Sequence, residues 1–87
     1  MKIKEGYILR EVAGNFIVVA IGNAVKNFNG VINLNESGAF LWRILEKGAT
    51  KEQLKEQLLA EYDVSEEIAD KDINAFVSKL EEKGLID

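Results

Sequence analysis

The sequence contains no cysteine, no histidine and no proline. Without cysteine there is no disulfide, no thiolate nucleophile and no zinc–thiolate site. Without histidine the chain lacks the side chain most used for proton transfer near neutral pH and for binding transition metals. Any catalytic site would have to be built from carboxylates, lysine, tyrosine or serine. Without proline, element ends rest on glycine, asparagine, serine and threonine alone. Long apolar runs are missing too. No run approaches the ~20 residues that span a bilayer, and the basic start, Lys2 and Lys4, is followed by no apolar signal core. The absences lead us to expect a cytoplasmic chain that is not an enzyme and holds no metal or cofactor.

What is present fits one small domain over residues 1–87. Hydrophobic residues make up 47% and charged residues 30%, the balance of a folded domain and not of a disordered chain. A chain of this size buries a modest core. Its net charge of −4 is unevenly placed. Residues 1–34 hold four basic and two acidic side chains, a net +2; residues 35–87 hold seven basic and thirteen acidic, a net −6. The acidic part repels phosphate backbones; it either confers solubility or attracts a basic protein surface.

Three strands come first. Residues 7–13 and 15–21, the second rich in β-branched and aromatic side chains, read as a hairpin turning at Ala13-Gly14-Asn15. Residues 22–30, with two glycines and three asparagines, read as a linker. Val31 to Leu34 is a short third strand. Helices follow. Asn35 is placed to cap a helix over 36–47 closed by Gly48, with Phe40, Leu41, Trp42, Ile44 and Leu45 on its buried side. Thr50 and Gln53 fit a capping box for a helix over 51–62, with Leu54, Leu58, Leu59 and Tyr62 inward. Ser65 opens a third helix with Ala69, Ile73, Phe76, Val77 and Leu80 on one face, ending at Lys83 and Gly84. Leu85 and Ile86 are placed to fold back on the core. The expected class is α+β: a three-stranded antiparallel sheet followed by three helices, like a winged helix-turn-helix.

Several chemistries can be weighed against this outline. Asp63, Glu66, Glu67 and Asp70 cluster at the start of the third helix, where acids are favoured by the helix dipole without any catalytic role. The same stretch fails as a calcium loop, because Ile68 stands where the loop needs glycine. Asn35-Glu36-Ser37-Gly38 opens a helix but lacks the glycines and lysine of a phosphate loop. The third helix carries more acids than bases, which argues against DNA reading. What remains is the edge of the short sheet. Its unpaired N–H and C=O groups either take an extended peptide, pair with a second copy, or stay free.

The ordered residues also resemble a known family. Ile32-Asn33-Leu34-Asn35-Glu36-Ser37-Gly38-Ala39 is similar to the LN-x-[ST]-[GA] junction of PqqD-like proteins, named for the small protein of pyrroloquinoline quinone biosynthesis. The likeness continues through Leu41-Trp42-Arg43-Ile44-Leu45, Gly48-Ala49-Thr50, Leu54, Leu58, Tyr62, Asp72-Ile73, Phe76 to Leu80, and Gly84-Leu85-Ile86. The resemblance implies a winged-helix-like, non-catalytic domain. Such a domain binds the leader region of a ribosomally made precursor peptide and presents it to a modifying enzyme, often a radical SAM protein. It also implies that the leader adds as a strand to the third strand, beside the third helix. The implied contacts are Val31, Ile32, Asn33 and Leu34 on the strand, and Asp72, Phe76, Lys79, Leu80 and Lys83 on the helix. For Phe76 and Leu80 the alternative is plain core packing; for Lys79 and Lys83 it is a solvated flank. The competing reading of the whole chain is a winged-helix interaction or regulatory protein, not a strong DNA binder, with homodimerisation through the same edge open to it.

Overall fold

In the computed structural model, which describes residues 1–26 and 30–87, Tyr7–Val12 (β1) and Asn15–Ala20 (β2) form an antiparallel hairpin. Val12 pairs with Asn15, so Ala13 and Gly14 alone make the turn, at φ 51 and 81. Positive φ at both central residues is the geometry whose twist matches that of the strands. Asn15, named both in the turn and as the start of the second strand, belongs to β2. The first part of the expected linker is instead a 3₁₀ helix, Gly22–Lys26. Its seat against β1 needs Gly6: a Cβ there would stand 2.6 Å from the Ala24 Cβ. Residues 27–29 of the linker lie outside the described residues.

Val31–Leu34 (β3) pairs antiparallel with β2, from Phe16 opposite Leu34 to Val19 opposite Val31. The strand order is β1-β2-β3, so among the described residues β3 has a neighbour on one side only. The pleat sorts the side chains between two faces. Leu9, Val18 and Ile32 form one cross-strand row and pack into the core. Ile8, Val19 and Val31 form the next row, on the face away from the helices, where Val31 is 54% exposed.

The helices are Glu36–Leu45 (α1), Lys51–Glu61 (α2) and Glu66–Glu82 (α3). Their starts follow the expected caps. Asn35 Oδ1 accepts from Gly38 N–H at 2.7 Å, and Ser65 Oγ accepts from Ile68 N–H at 3.2 Å. Thr50 and Gln53 exchange both bonds of a capping box, at 2.9 and 3.1 Å. Trp42, Leu45, Leu54, Val77 and Leu80 fill the space between the helices and the sheet. Leu85 and Ile86 do fold back and are buried. A feature beyond the sequence reading is the seat of the first residues. Ile3 is buried, bridges to Ile86, and donates its N–H to the Leu45 carbonyl at 3.1 Å. The architecture is the α+β arrangement expected, three antiparallel strands followed by three helices.

Candidate functional site

The open side of β3 looks onto α3 across a groove of about 250 Å³. Asn33 and Leu34 of β3 form one wall with Asn35, Ser37, Gly38 and Leu41 of the corner and α1. Asp72, Ala75, Phe76 and Lys79 form the other. Those four positions are spaced i, i+3, i+4 and i+7, one stripe of a helix. The corner is tight: a Cβ on Gly38 would lie 3.0 Å from Asn35 Oδ1 and 3.4 Å from the Leu34 Cβ. Ser37 Oγ also donates to Asn35 Oδ1 at 3.1 Å, so the corner is held by its own hydrogen bonds.

The directions of β3 and α3 are opposed. Asp72 also borders a neighbouring hollow with Asn35, Glu36, Ser37 and Tyr62, at the end where β3 finishes. Lys83 borders a different hollow with Lys4 and Tyr7. Tyr7 pairs with Ala20, next to the level of Val31, where β3 starts. The groove therefore has an acidic end at Asp72 and Glu36, an apolar middle at Phe76 and Leu41, and a basic end at Lys79. The ion pair seen among the described residues, Lys55 with Asp70 at 3.2 Å, uses neither Asp72 nor Lys79. At the acidic end the Tyr62 phenol is held above its usual pKa of 10.0, first by burial and then by Glu36 and Glu61, with Arg43 opposing.

Five of the expected contact residues line this groove: Asn33, Leu34, Asp72, Phe76 and Lys79. The other four are placed differently. Val31 directs its side chain to the outer face of the sheet. Ile32 is 3% exposed and belongs to the core, so on β3 only its backbone is open to a partner. Leu80 is 0% exposed, which leaves it core packing and no surface for apolar contact. Lys83 stands one turn beyond the groove, at the hollow with Lys4. The lining adds Asn35, Ser37, Gly38, Leu41 and Ala75. Ala75 was findable, because it fills the i+3 position between Asp72 and Phe76. The corner residues read as architecture alone; they are that, and they also wall the groove.

The family model for coenzyme PQQ synthesis protein D (PqqD) matches residues 7–86. The chain belongs to the PqqD family. No curated protein matches it. Among solved structures, this PqqD-family chain is similar to TbiB1 in complex with the TbiA(beta) leader peptide, at TM-score 0.78 and 22% identity, over 100% of this chain and 95% of that one. It is also similar to lasso peptide synthetase B1 complexed with the leader peptide, at TM-score 0.74 and 21% identity, over 97% and 93%. At such identities the likeness speaks for the fold, which the PqqD-family chain shares with both along nearly its whole length. Among the described residues, no helix is long and apolar enough to cross a membrane, and no three of His, Cys, Asp or Glu group to hold a metal ion.

Proposed function

We propose that this PqqD-family chain is a non-catalytic recognition domain for the leader region of a ribosomally made precursor peptide. It works as a single domain over residues 1–87, in the cytoplasm, and holds the peptide for a modifying enzyme such as a radical SAM protein. The observation that carries the reading is the open edge of β3 lying directly beside the groove. An extended peptide placed there finds unpaired backbone groups on one side and side-chain space on the other, the two requirements of strand addition. Both similar structures are of proteins holding leader peptides, which supports the same use of the shared fold. The proposed contacts are the backbone of Val31 to Leu34, Asn33 included, and the side chains of Leu34, Asp72, Phe76 and Lys79.

The test is a titration of ¹⁵N-labelled protein with leader peptides of precursors encoded beside its gene. Binding is expected to shift the amides of residues 31–34 and of 72–79. Shifts confined to other surfaces, or no binding tighter than about 1 mM, would sink the reading. Proline at Val31 or Ile32 removes one backbone donor from the ladder. A variant that keeps its circular dichroism spectrum is expected to bind at least about tenfold more weakly, a loss of ~1.4 kcal/mol.

A further inference from the structure

The groove lies between an acid and a base that have no ion-pair partner among the described residues. Asp72 and Lys79 are exposed, face the same groove, and flank Phe76 on one stripe of α3. Glu36 adds a second carboxylate to the Asp72 end. The edge strand itself, Val31-Ile32-Asn33-Leu34, carries no charge. Backbone pairing with β3 does not depend on sequence, so the charges and the apolar middle are what the groove has to discriminate with.

We infer that the groove reads charge order: it takes an extended segment antiparallel to β3 with a basic, an apolar and an acidic side chain at alternate positions, in that order from the N-terminal side. The inference rests on the strand-addition reading above. Its geometry follows from the opposed directions of β3 and α3. A strand antiparallel to β3 continues the antiparallel pattern of the sheet. Residues opposite Leu34 and Ile32 then point to the helix side, as Leu34 and Ile32 do. The residue opposite Leu34 meets Phe76 and Leu41, with Ala75 leaving room for it. The residue opposite Ile32 lies toward Lys79. The residue two places before the one opposite Leu34 lies beyond the end of β3, toward Asp72 and Glu36.

The spacings agree. From Asp72 to Lys79 the helix rises about 10 Å. Four residues of strand cover about 13 Å, and the flexible lysine stem takes up the difference. The pattern is therefore basic-x-apolar-x-acidic. The reversed order sets like charges against each other at both ends of the same groove.

Two peptides of one composition test this. Acetyl-Gly-Lys-Thr-Val-Thr-Glu-Gly-amide carries the favoured order, and Acetyl-Gly-Glu-Thr-Val-Thr-Lys-Gly-amide the reversed one. Titrated into ¹⁵N-labelled protein, the first is expected to bind about tenfold tighter, since two attractive pairs become two repulsive ones. The preference is expected to shrink in 1 M salt, where the Debye length is about 3 Å. The doubly reversed variant Asp72→Lys/Lys79→Asp is expected to invert it; both side chains are exposed, and circular dichroism checks the fold. Equal affinity for the two peptides, or an unchanged preference in the reversed variant, overturns the inference. If a natural leader shifts the β3 amides and is indifferent to charge order, charge reading alone falls. If no leader and neither peptide reaches β3, the recognition reading falls with it.

Discussion

Ala13 holds φ 51 in the β1–β2 turn, where its Cβ crowds the following carbonyl. Left-handed backbone costs an alanine about 1–2 kcal/mol, and asparagine followed by glycine is the pair such turns prefer. Ala13→Asn is expected to raise the free energy of unfolding by about 0.5–1 kcal/mol. The urea midpoint should rise with an unchanged slope; a fall would mean that the alanine is not strained. The turn also shows where single residues escape a sequence reading. Gly-Asn and Ala-Gly are both credible turn pairs one position apart, and the choice is made by the register of Val12 with Asn15. Trp42 is a second case. Helical spacing placed it inside, but its buried indole N–H finds no acceptor among the described residues, and no spacing rule foretells that.

The elements were legible where their signals are local. Asn35, Thr50 with Gln53, and Ser65 cap the helices that their side chains suggested, because a cap is a contact within one turn. The 3₁₀ helix of Gly22–Lys26 was not, because two glycines and three asparagines tolerate many backbones and the seat beside Gly6 selects one. The contact of α1 with the end of α2 adds a measurable property. The Phe40 and Tyr62 rings meet edge to face at 5.5 Å. Because the Tyr62 pKa is raised on folding, the folded state holds its phenolic proton more tightly than the unfolded state. The associated stability is fully present below pH 10.0 and is lost as pH climbs through the raised value. Ultraviolet titration of the phenols is expected to show, in Tyr62→Phe, the loss of a transition whose midpoint lies above 10.0. Loss of a transition at or below that value would contradict the assignment.

At the scale of the molecule, the groove was half legible. The family resemblance pointed to Asp72, Phe76 and Lys79, which do lie on one flank of α3. Where that flank stops is set by how α3 lies across the sheet, so Leu80 fell into the core and Lys83 beyond the groove. The first residues carried no periodic signal at all. Their role is non-local: Ile3 joins the last turn of α1 to the segment at Ile86. Ile3→Ala is expected to destabilise by about 2–3 kcal/mol, the lower part of the range for truncating a buried isoleucine, since Ile3 sits at the margin of the core. Lys4→Ala, on an exposed side chain, is expected to stay within about 0.5 kcal/mol. Thermal unfolding of the two variants separates a closing contact from a loose tail.

An uncharged strand with one neighbour has a colloidal consequence. Natural sheets blunt free edges with charge, proline or bulges; Val31-Ile32-Asn33-Leu34 carries neither charge nor proline and pairs in unbroken register with β2. Its outer side continues the aliphatic row of Ile8 and Val19. The backbone groups that would receive a leader are offered equally to unfolded chains and to other copies of the protein. If β3 receives a leader as proposed, its open edge limits how concentrated the free protein can become before it aggregates, and the occupied form escapes that limit.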